Sequence, residues 1–359
     1  MKTIQQNLLN WFHENARDLP WRKSYSPYHV WISEIMLQQT QMERVIDYFI
    51  RWMKEFPDIA SISISNEEKI LKLWEGMGYY SRARNIFKSA TILMEQYNGK
   101  LPSDYEQLLK LPGIGKYSAG AIMSIAFNKE FAIVDANIER VFARLFNLAK
   151  PVKSKSTHAF IWQKAKELIP QAKAREFNQA LMELGALVCI PRNPRCNICP
   201  VRDYCQSLSE NVVSKRPIAV KPSKTVFIEM ATGILTHNDK ILIQKRKPNG
   251  VWANLWEFPG GRLEPGETPE MALVREYAEE TELQIGNLEK ITAVQHSYTI
   301  YRVTLHCYFC SLMANKFKPV LHSAQEYRLV DFEELSNFAF PAGHRKLITY
   351  LKINKPDFL

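Results

Sequence analysis

The chain changes texture past its midpoint. From the start to about Leu208, apolar positions recur at helical spacing. Ile4, Leu8, Trp11 and Phe12 form one stripe, and Val45, Phe49, Trp52 and Met53 form another. Residues three or four apart share a helix face, so each stripe predicts a helix that buries that face. Phe56-Pro57-Asp58, Asn98-Gly99 and Leu111-Pro112-Gly113 carry turn chemistry and separate the helical segments. After Cys205 the pattern shifts. Ser209 to Lys224 is polar and basic, holds Pro217 and Pro222, and reads as a linker. Thr225 to Leu235 is rich in Val, Ile, Thr and Phe. Ile241-Leu242-Ile243 follows a His237-Asn238-Asp239 turn, so a β-hairpin is predicted there. Val303 to Leu312 predicts a further strand and Pro269 to Glu280 a helix. No internal repeat or low-complexity tract is present. The expected organisation is a helical domain over 1–208, a basic linker over 209–224 and an α+β domain over 225–359.

Composition narrows the picture. A chain of 359 residues exceeds the roughly 250–300 at which single cores stop growing, so more than one domain is expected. The net charge of +10 favours an anionic partner, of which nucleic acid is the commonest, although a basic protein can also carry such a charge with nothing bound. No run reaches the ~18 apolar residues of a membrane span, and Lys2 is followed by no continuous apolar segment or small-residue cleavage site. These features imply no membrane association and a cytoplasmic location, nucleoid-associated if the source is bacterial. A monomer is expected.

Six cysteines are too few for a disulfide scaffold, and four of them cluster. Cys189, Cys196, Cys199 and Cys205 give C-x6-C-x2-C-x5-C. Four thiolates at short spacing can hold a metal centre. A structural zinc usually shows two C-x2-C pairs, and only one occurs here. Arg192, Arg195 and Arg202 lie in or beside this loop and are suited either to phosphate or to solvent.

Leu111-Pro112-Gly113-Ile114-Gly115-Lys116-Tyr117 sits between two helical segments. Its glycines permit a tight turn and close approach of a ligand. Amides opening the next helix can then face a phosphate. The following Ser118-Ala119-Gly120-Ala121 has side chains small enough for close helix packing. A plain structural turn would carry the same glycines.

Two carboxylates stand in unusual settings. Glu34 interrupts the apolar stretch Trp31-Ile32-Ser33-Glu34-Ile35-Met36-Leu37. Burial there would raise its pKa, as suits a general acid; a surface glutamate is the alternative. Asp135 follows the apolar Ile133-Val134 and opens a helix, where a capping role is common. The helix N-terminus would keep it ionised.

From Leu19-Pro20-Trp21-Arg22 through Cys205, and more loosely to the end, the chain resembles the MutY family of adenine DNA glycosylases. The cysteine spacing is that of the [4Fe–4S] loop found in the endonuclease III and MutY glycosylases. The turn at 111–122 resembles the helix–hairpin–helix of that superfamily. The resemblance implies a helical glycosylase domain that grips double-stranded DNA by its backbone. Glu34, in S-E-x-M-L-Q-Q-T, would protonate adenine N7. Asp135, in V-D-x-N, would stabilise the sugar cation, with Asn137 and Tyr117 beside it. Bifunctional relatives carry a lysine nucleophile where this chain has Tyr117, so a monofunctional enzyme is implied. Base-pocket contacts fall on Arg17, Trp21, Leu37 and Gln179. DNA contacts fall on Arg22, Gln39, Tyr79, Gly113, Gly115 and Lys116, with Gln39 and Tyr79 filling space around a flipped base. The family's glycine in V-D-G-N is Ala136 here, which could shift Asp135.

The C-terminal region resembles the MutT-like (Nudix) domain that reads 8-oxoguanine in that family. Gly261-x5-Glu267-x7-Arg275-Glu276-x2-Glu279-Glu280 is a nearly complete Nudix box, with Glu282 in place of its late glycine. Glu276, Glu279 and Glu280 share one helix face and are candidates for Mg²⁺; a solvated acidic helix is the alternative. The family's Phe-Ser-His lesion contact falls on Tyr298-Thr299-Ile300, so Tyr298 and Thr299 are the candidate lesion contacts and the histidine is missing. Alternatives to adenine excision are a glycosylase with another target, a Nudix phosphohydrolase tethered to a DNA-binding domain, or both activities in one chain.

Overall fold

The computed structural model describes residues 3–219, 224–314 and 316–354. Residues 220–223 of the expected linker lie outside that set. The chain forms two compact units, Met1–Ile64 with Asn85–Lys221, and Ser65–Arg84 with Pro222–Leu359.

The first unit is helical. Its elements are α1 (Ile4–Asn15), α2 (Pro27–Leu37), α3 (Met42–Glu55) and α4 (Ile59–Ser63). The helices α5 (Glu67–Trp74) and α6 (Ser81–Tyr97) follow, α5 belonging to the second unit. Then come α7 (Tyr105–Leu109), α8 (Lys116–Ala121), α9 (Ala136–Leu145), α10 (Lys155–Glu167), α11 (Ala174–Leu187) and α12 (Gln206–Ser209). The two stripes read from the sequence are α1 and α3, whose Leu8, Phe12, Val45, Phe49 and Trp52 are buried. Thr3 caps α1, and Asp58 caps α4 in a capping box just after the Phe56-Pro57 turn. Beyond α8 the helix widens into a π-turn over Ile122–Ala126, buried throughout. Small residues set the close contacts. A Cβ on Gly120 would lie 2.7 Å from the Ala132 carbonyl oxygen, and one on Gly185 2.6 Å from Asn137 Cβ. Gly185 therefore lets α11 lie directly on α9.

The second unit is built on a mixed sheet. Its strands are β1 (Val226–His237), β2 (Lys240–Arg246), β3 (Trp256–Glu257), β4 (Gly260–Arg262), β5 (Ile285–Tyr298), β6 (Tyr301–Leu312) and β7 (Ala324–Val330). Strands run in the order β3-β2-β1-β6-β5, with β4 on β1 and β7 on β2. β1 and β6 are parallel, and the other pairs antiparallel. Two helices, α13 (Pro269–Thr281) and α14 (Ala342–Asn354), cover opposite faces. Alternation along the strands sorts the two cores: Leu305 and Cys307 pack with Leu347 and Leu351 of α14, whereas Tyr308 and Cys310 pack with Leu273 and Tyr277 of α13. The expected hairpin is present, its turn made by Asn238 and Asp239 at φ 50° and 61°.

Strands β3, β4, β5 and β7 and helix α14 are additions to the sequence reading. Two register shifts interrupt β5 between Gly286 and Thr292, which breaks the alternation that would reveal a strand. The unit boundary also departs from the expected one. Residues 65–84, inside the helical sequence, pack in the second unit through Lys245–Glu68 at 2.7 Å and Arg345–Glu75 at 2.8 Å.

Gly185→Ala should destabilise the chain by ~1–3 kcal/mol through overpacking against Asn137. Urea denaturation measures this; an unchanged midpoint would mean that α9 and α11 separate without cost.

Candidate active site

A cleft of about 990 Å³ opens in the first unit, lined by Glu34, Leu37, Gln39, Tyr117, Asp135 and Asn137 among others. Glu34 arrives on α2, which starts at Pro27 in the first helical position and is apolar nearly all round. Such a helix buries every face, and Glu34 is carried inside with 3% of its surface exposed. Tyr117, on α8, donates its hydroxyl proton to Glu34 Oε2 at 2.8 Å. Burial pushes the Glu34 carboxyl up to about 7; the Tyr117 hydrogen bond opposes this, Asp135 adds to it and Arg22 opposes it. Burial, with Glu34 and Asp135 beside it, also holds the Tyr117 phenol well above its ordinary value. Oε2 is committed to Tyr117, so Oε1 is the oxygen on which Glu34 can offer a proton.

Asp135 caps α9. Its Oδ1 accepts from the Ile138 amide at 2.7 Å and its Oδ2 from Asn137 Nδ2 at 3.0 Å. Asn137 Oδ1 in turn accepts from Arg140 at 2.8 Å. The cap is as the sequence expects, but its electrostatic effect is outweighed. Burial raises the Asp135 carboxyl, and the amide and Asn137 hydrogen bonds only oppose that rise. Ala136 is the first residue of α9, exposed and outside the left-handed region, so its methyl group leaves the Asp135 cap intact.

Arg17 and Leu37 line the cleft, whereas Trp21 and Gln179 are not among its lining residues. Trp21 is buried edge-on against Phe49, with centroids 5.4 Å apart. Gln179 is buried and donates to the Arg175 carbonyl at 3.1 Å. Glu183 escaped the sequence reading. It is 1% exposed, and it takes a bidentate bond from Arg17 at 2.8 and 2.9 Å and another from Arg22 at 2.7 Å. The signal was its position four residues after Gln179 on α11, the same helix face. A buried charge so paired fixes both arginines.

The hairpin residues Gly113, Gly115 and Lys116 are exposed. Gly113 has φ +79°, and a Cβ there would meet Asn85 Cβ at 2.8 Å, so only glycine fits. Gly115 faces open space, room for a close backbone approach. A second cavity, of about 620 Å³, adjoins Tyr117 and is lined by Lys116, Lys153, Lys155, His158 and Trp162. Lys153 and Lys155 offer phosphate contacts beside Lys116 that no motif had indicated. Lys153 ion-pairs with the buried Glu139 at 2.9 Å. Gln39 and Tyr79 are both exposed and left-handed, with φ 55° and 47°. Each such residue stores ~1–3 kcal/mol of strain, a feature of ligand-contacting positions.

Cys189, Cys196, Cys199 and Cys205 line one small cavity with Arg144, whose guanidinium donates to Cys189 Sγ at 3.4 Å. Burial, with the neighbouring thiols adding to it and the Val201 amide opposing it, pushes the Cys199 thiol up to about 12. Cys196 and Cys205 are raised for the same reasons. Four thiolates can coexist there only around cations, which fits an iron–sulfur cluster. Among the described residues no three His, Cys, Asp or Glu side chains are arranged to hold a single metal ion. A four-iron cluster takes one thiolate per iron, so its ligands stand further apart than those of one zinc ion.

In the second unit, Arg275 of α13 bonds Glu267 at 2.7 Å and Glu279 at 3.0 Å, and lies 3.2 Å from Glu276. Glu280 accepts from Gln244 at 2.8 Å and from the Gly260 amide at 3.2 Å. Glu282 ends α13 in the left-handed conformation, φ 57°, which explains why a glycine is favoured there. Tyr298, Thr299 and Ile300 form the tip of the β5–β6 hairpin, with Thr299 at φ 48°. Tyr298 lies 6.0 Å from the Trp252 ring.

The helices, hairpin and cysteine loop together define a helix–hairpin–helix base-excision DNA repair protein with a Nudix domain. Residues 32–170 match the HhH-GPD superfamily of base excision DNA repair proteins, 189–205 the iron–sulfur binding domain of endonuclease III, and 230–350 the NUDIX domain. A thermostable thymine-DNA glycosylase superposes on the helical part with a TM-score of 0.53 and 31% identity, covering 57% of this chain and 95% of its own. The adenine DNA glycosylase of Buchnera aphidicola subsp. Baizongia pistaciae is 42% identical over 71% of this chain and 72% of its own length. That of Rattus norvegicus is 33% identical over 96% of this chain and 77% of its own. The chain belongs to the adenine DNA glycosylase family. Among the described residues no helix is long and apolar enough to cross a membrane.

Glu34→Gln should abolish base excision while retaining DNA binding. Because the folded Glu34 carboxyl binds its proton more tightly than the unfolded one, its contribution to stability falls as pH rises from 4.5 to about 7. The glutamine variant should therefore gain up to ~3 kcal/mol over wild type at pH 8 and nothing at pH 4. Wild-type single-turnover rates should likewise fall above pH 7. Parallel stability–pH curves for the two proteins would refute the raised pKa.

Proposed function

We propose that this chain is a monofunctional glycosylase that excises adenine paired with 8-oxoguanine or guanine in duplex DNA. The observation that carries this reading is one cleft holding a protonatable Glu34 against Tyr117, with the capped carboxylate of Asp135. Glu34 would give its Oε1 proton to adenine N7. The C1′–N9 bond then breaks, its electron pair passing to the purine, and the cationic sugar forms beside Asp135. Water adds at C1′ and loses its proton to Glu34, restoring the acid. Asn137 and the α9 amide hold Asp135 in place, and Tyr117 fixes which Glu34 oxygen faces the base. Tyr117 leaves no amine at that position, Lys116 lines the adjoining cavity, and Lys153 is held by an ion pair to Glu139. These features support base removal without strand cleavage.

Arg17 and Leu37 would contact the base, and Trp21 and Gln179 would shape the pocket from behind. Gly113, Gly115 and Lys116 would serve backbone binding, whereas Arg22, expected there from the sequence, is tied to Glu183 and to the Arg17 carbonyl and would brace Arg17. Gln39 and Tyr79 would fill the gap left by the flipped nucleotide. Tyr298 and Thr299, at an exposed hairpin tip, would contact the oxidised guanine. The four cysteines would hold the [4Fe–4S] cluster, which ties the loop after α11 into a docking surface bearing Arg192, Arg195 and Arg202.

Single-turnover assays on duplexes pairing adenine with 8-oxoguanine, guanine or cytosine test this. Fast adenine release opposite 8-oxoguanine, slower opposite guanine and none opposite cytosine is expected, with no strand break before alkali. Equal rates opposite all three would overturn the pairing preference.

A second reading concerns the Nudix helix. Gly261 leaves room for the Glu276 carboxylate, whose oxygen would lie 2.2 Å from a Cβ there, and burial with Glu280 raises that carboxyl. This close fit favours retained binding of Mg²⁺ and hydrolysis of an oxidised nucleoside triphosphate. Incubation with 8-oxo-dGTP and Mg²⁺ should release monophosphate and pyrophosphate, abolished in Glu280→Gln; no release from wild type would sink it.

A further inference from the structure

Residues Ser65–Arg84 pack within the second unit, although they lie in the middle of the helical sequence. Just past α5, Glu75 turns a nearly buried carboxylate towards residues 338–345. Its Oε1 accepts from Arg345 Nε and from the Phe340 amide, each at 2.8 Å, and its Oε2 accepts from Lys72 at 2.7 Å. Phe340 serves the other end of the same loop, since its carbonyl accepts from the Tyr80 hydroxyl at 3.3 Å. Inside the loop, Trp74 donates to the Gly78 carbonyl at 3.1 Å, and Arg82 donates to the Met77 and Gly78 carbonyls at 3.2 Å. These bonds hold the residues on either side of Tyr79, which is 41% exposed and left-handed at φ 47°.

That combination is informative. A non-glycine residue stays left-handed only where its surroundings over-determine it. An exposed ring gains no core packing in return. The Arg82 guanidinium stands 5.5 Å from the Tyr79 centroid, and a braced, exposed ring beside a cation suits stacking on a nucleic-acid base.

We propose that Glu75 is a positioning residue for Tyr79: by clamping Arg345 and the Phe340 amide, it anchors the 76–82 loop to the second unit so that the Tyr79 ring is preset to stack on a DNA base. This rests on the reading of Tyr79 as a base-stacking residue. It ties a segment within the helical sequence to the domain that would read the lesion strand.

The test uses the full chain and a duplex with adenine opposite 8-oxoguanine, carrying 2-aminopurine beside the 8-oxoguanine as a stacking reporter. Wild type, Tyr79→Ala, Glu75→Ala and the double variant are compared in single-turnover excision, fluorescence and melting. Tyr79→Ala should slow excision roughly 5- to 100-fold, the rate equivalent of one base–aromatic stack. Glu75→Ala should reproduce part of that loss together with the fluorescence change, and the double variant should be no slower than Tyr79→Ala alone. Losses that multiply, a Glu75→Ala fluorescence signal equal to wild type, or a Tyr79→Ala rate equal to wild type would each overturn the proposal. Should Glu75→Ala fail to fold, Arg345→Lys weakens the same clamp and is read in the same cycle. Fluorescence reports stacking whether or not the base is cut, so an inactive wild type would refute the excision reading separately.

Discussion

The hydrogen bond from Tyr117 to Glu34 is the constraint on which the proposed chemistry turns. It closes across two helices, α2 and α8, and both must be in place before it can form. A carboxylate in water would be ionised and useless as an acid at neutral pH. Here an apolar helix carries it inside, and desolvation raises it to about 7. An isolated buried carboxyl would be costly, and the Tyr117 hydroxyl supplies the partner that makes the burial tolerable. The same bond decides which oxygen is left to face a substrate. Asp135 shares the cleft under opposing influences: burial raises it and three helix-end and side-chain donors restrain that rise.

Around this pair, charge is used mainly to hold things still. Glu183 fixes Arg17 and Arg22 from one buried carboxylate, and Arg140 holds Asn137. These are charge-assisted bonds in sheltered places, where geometry is kept best. Exposed positively charged groups are treated differently. Lys116 and Lys155 face an open cavity beside the cleft. The buried charges position residues and the exposed ones remain for phosphate.

The second unit repeats this division. Its sheet is closed by α13 and α14, and its exposed features are the hairpin tip at Thr299 and the braced loop carrying Tyr79. Both are left-handed, non-glycine and exposed. The two-residue hairpin turn accounts for Thr299, whereas Tyr79 lies in no hairpin, and a surface that must meet a rigid duplex in a preset shape gives its strain a reason.

The sequence alone determined much of this. Periodicity located α1, α3, the β1–β2 hairpin and α13, because local spacing reports which face is buried. Spacing also exposed the cysteine loop, while the roles expected of Glu34, Asp135 and Tyr117 came from the resemblance to a known family, since local spacing alone also allowed a surface glutamate and a plain helix cap. Only the tertiary structure decided the rest. Glu183, 166 residues from Arg17, holds it through a contact that no local pattern encodes. Trp21 proved to be packed on Phe49 and absent from the cleft lining. Residues 65–84 joined the second unit through ion pairs spanning 177 and 270 residues. The Glu34 pKa itself is a tertiary quantity: its helix can be read from the sequence, but the desolvation and the Tyr117 bond that set it arise only when distant segments pack together.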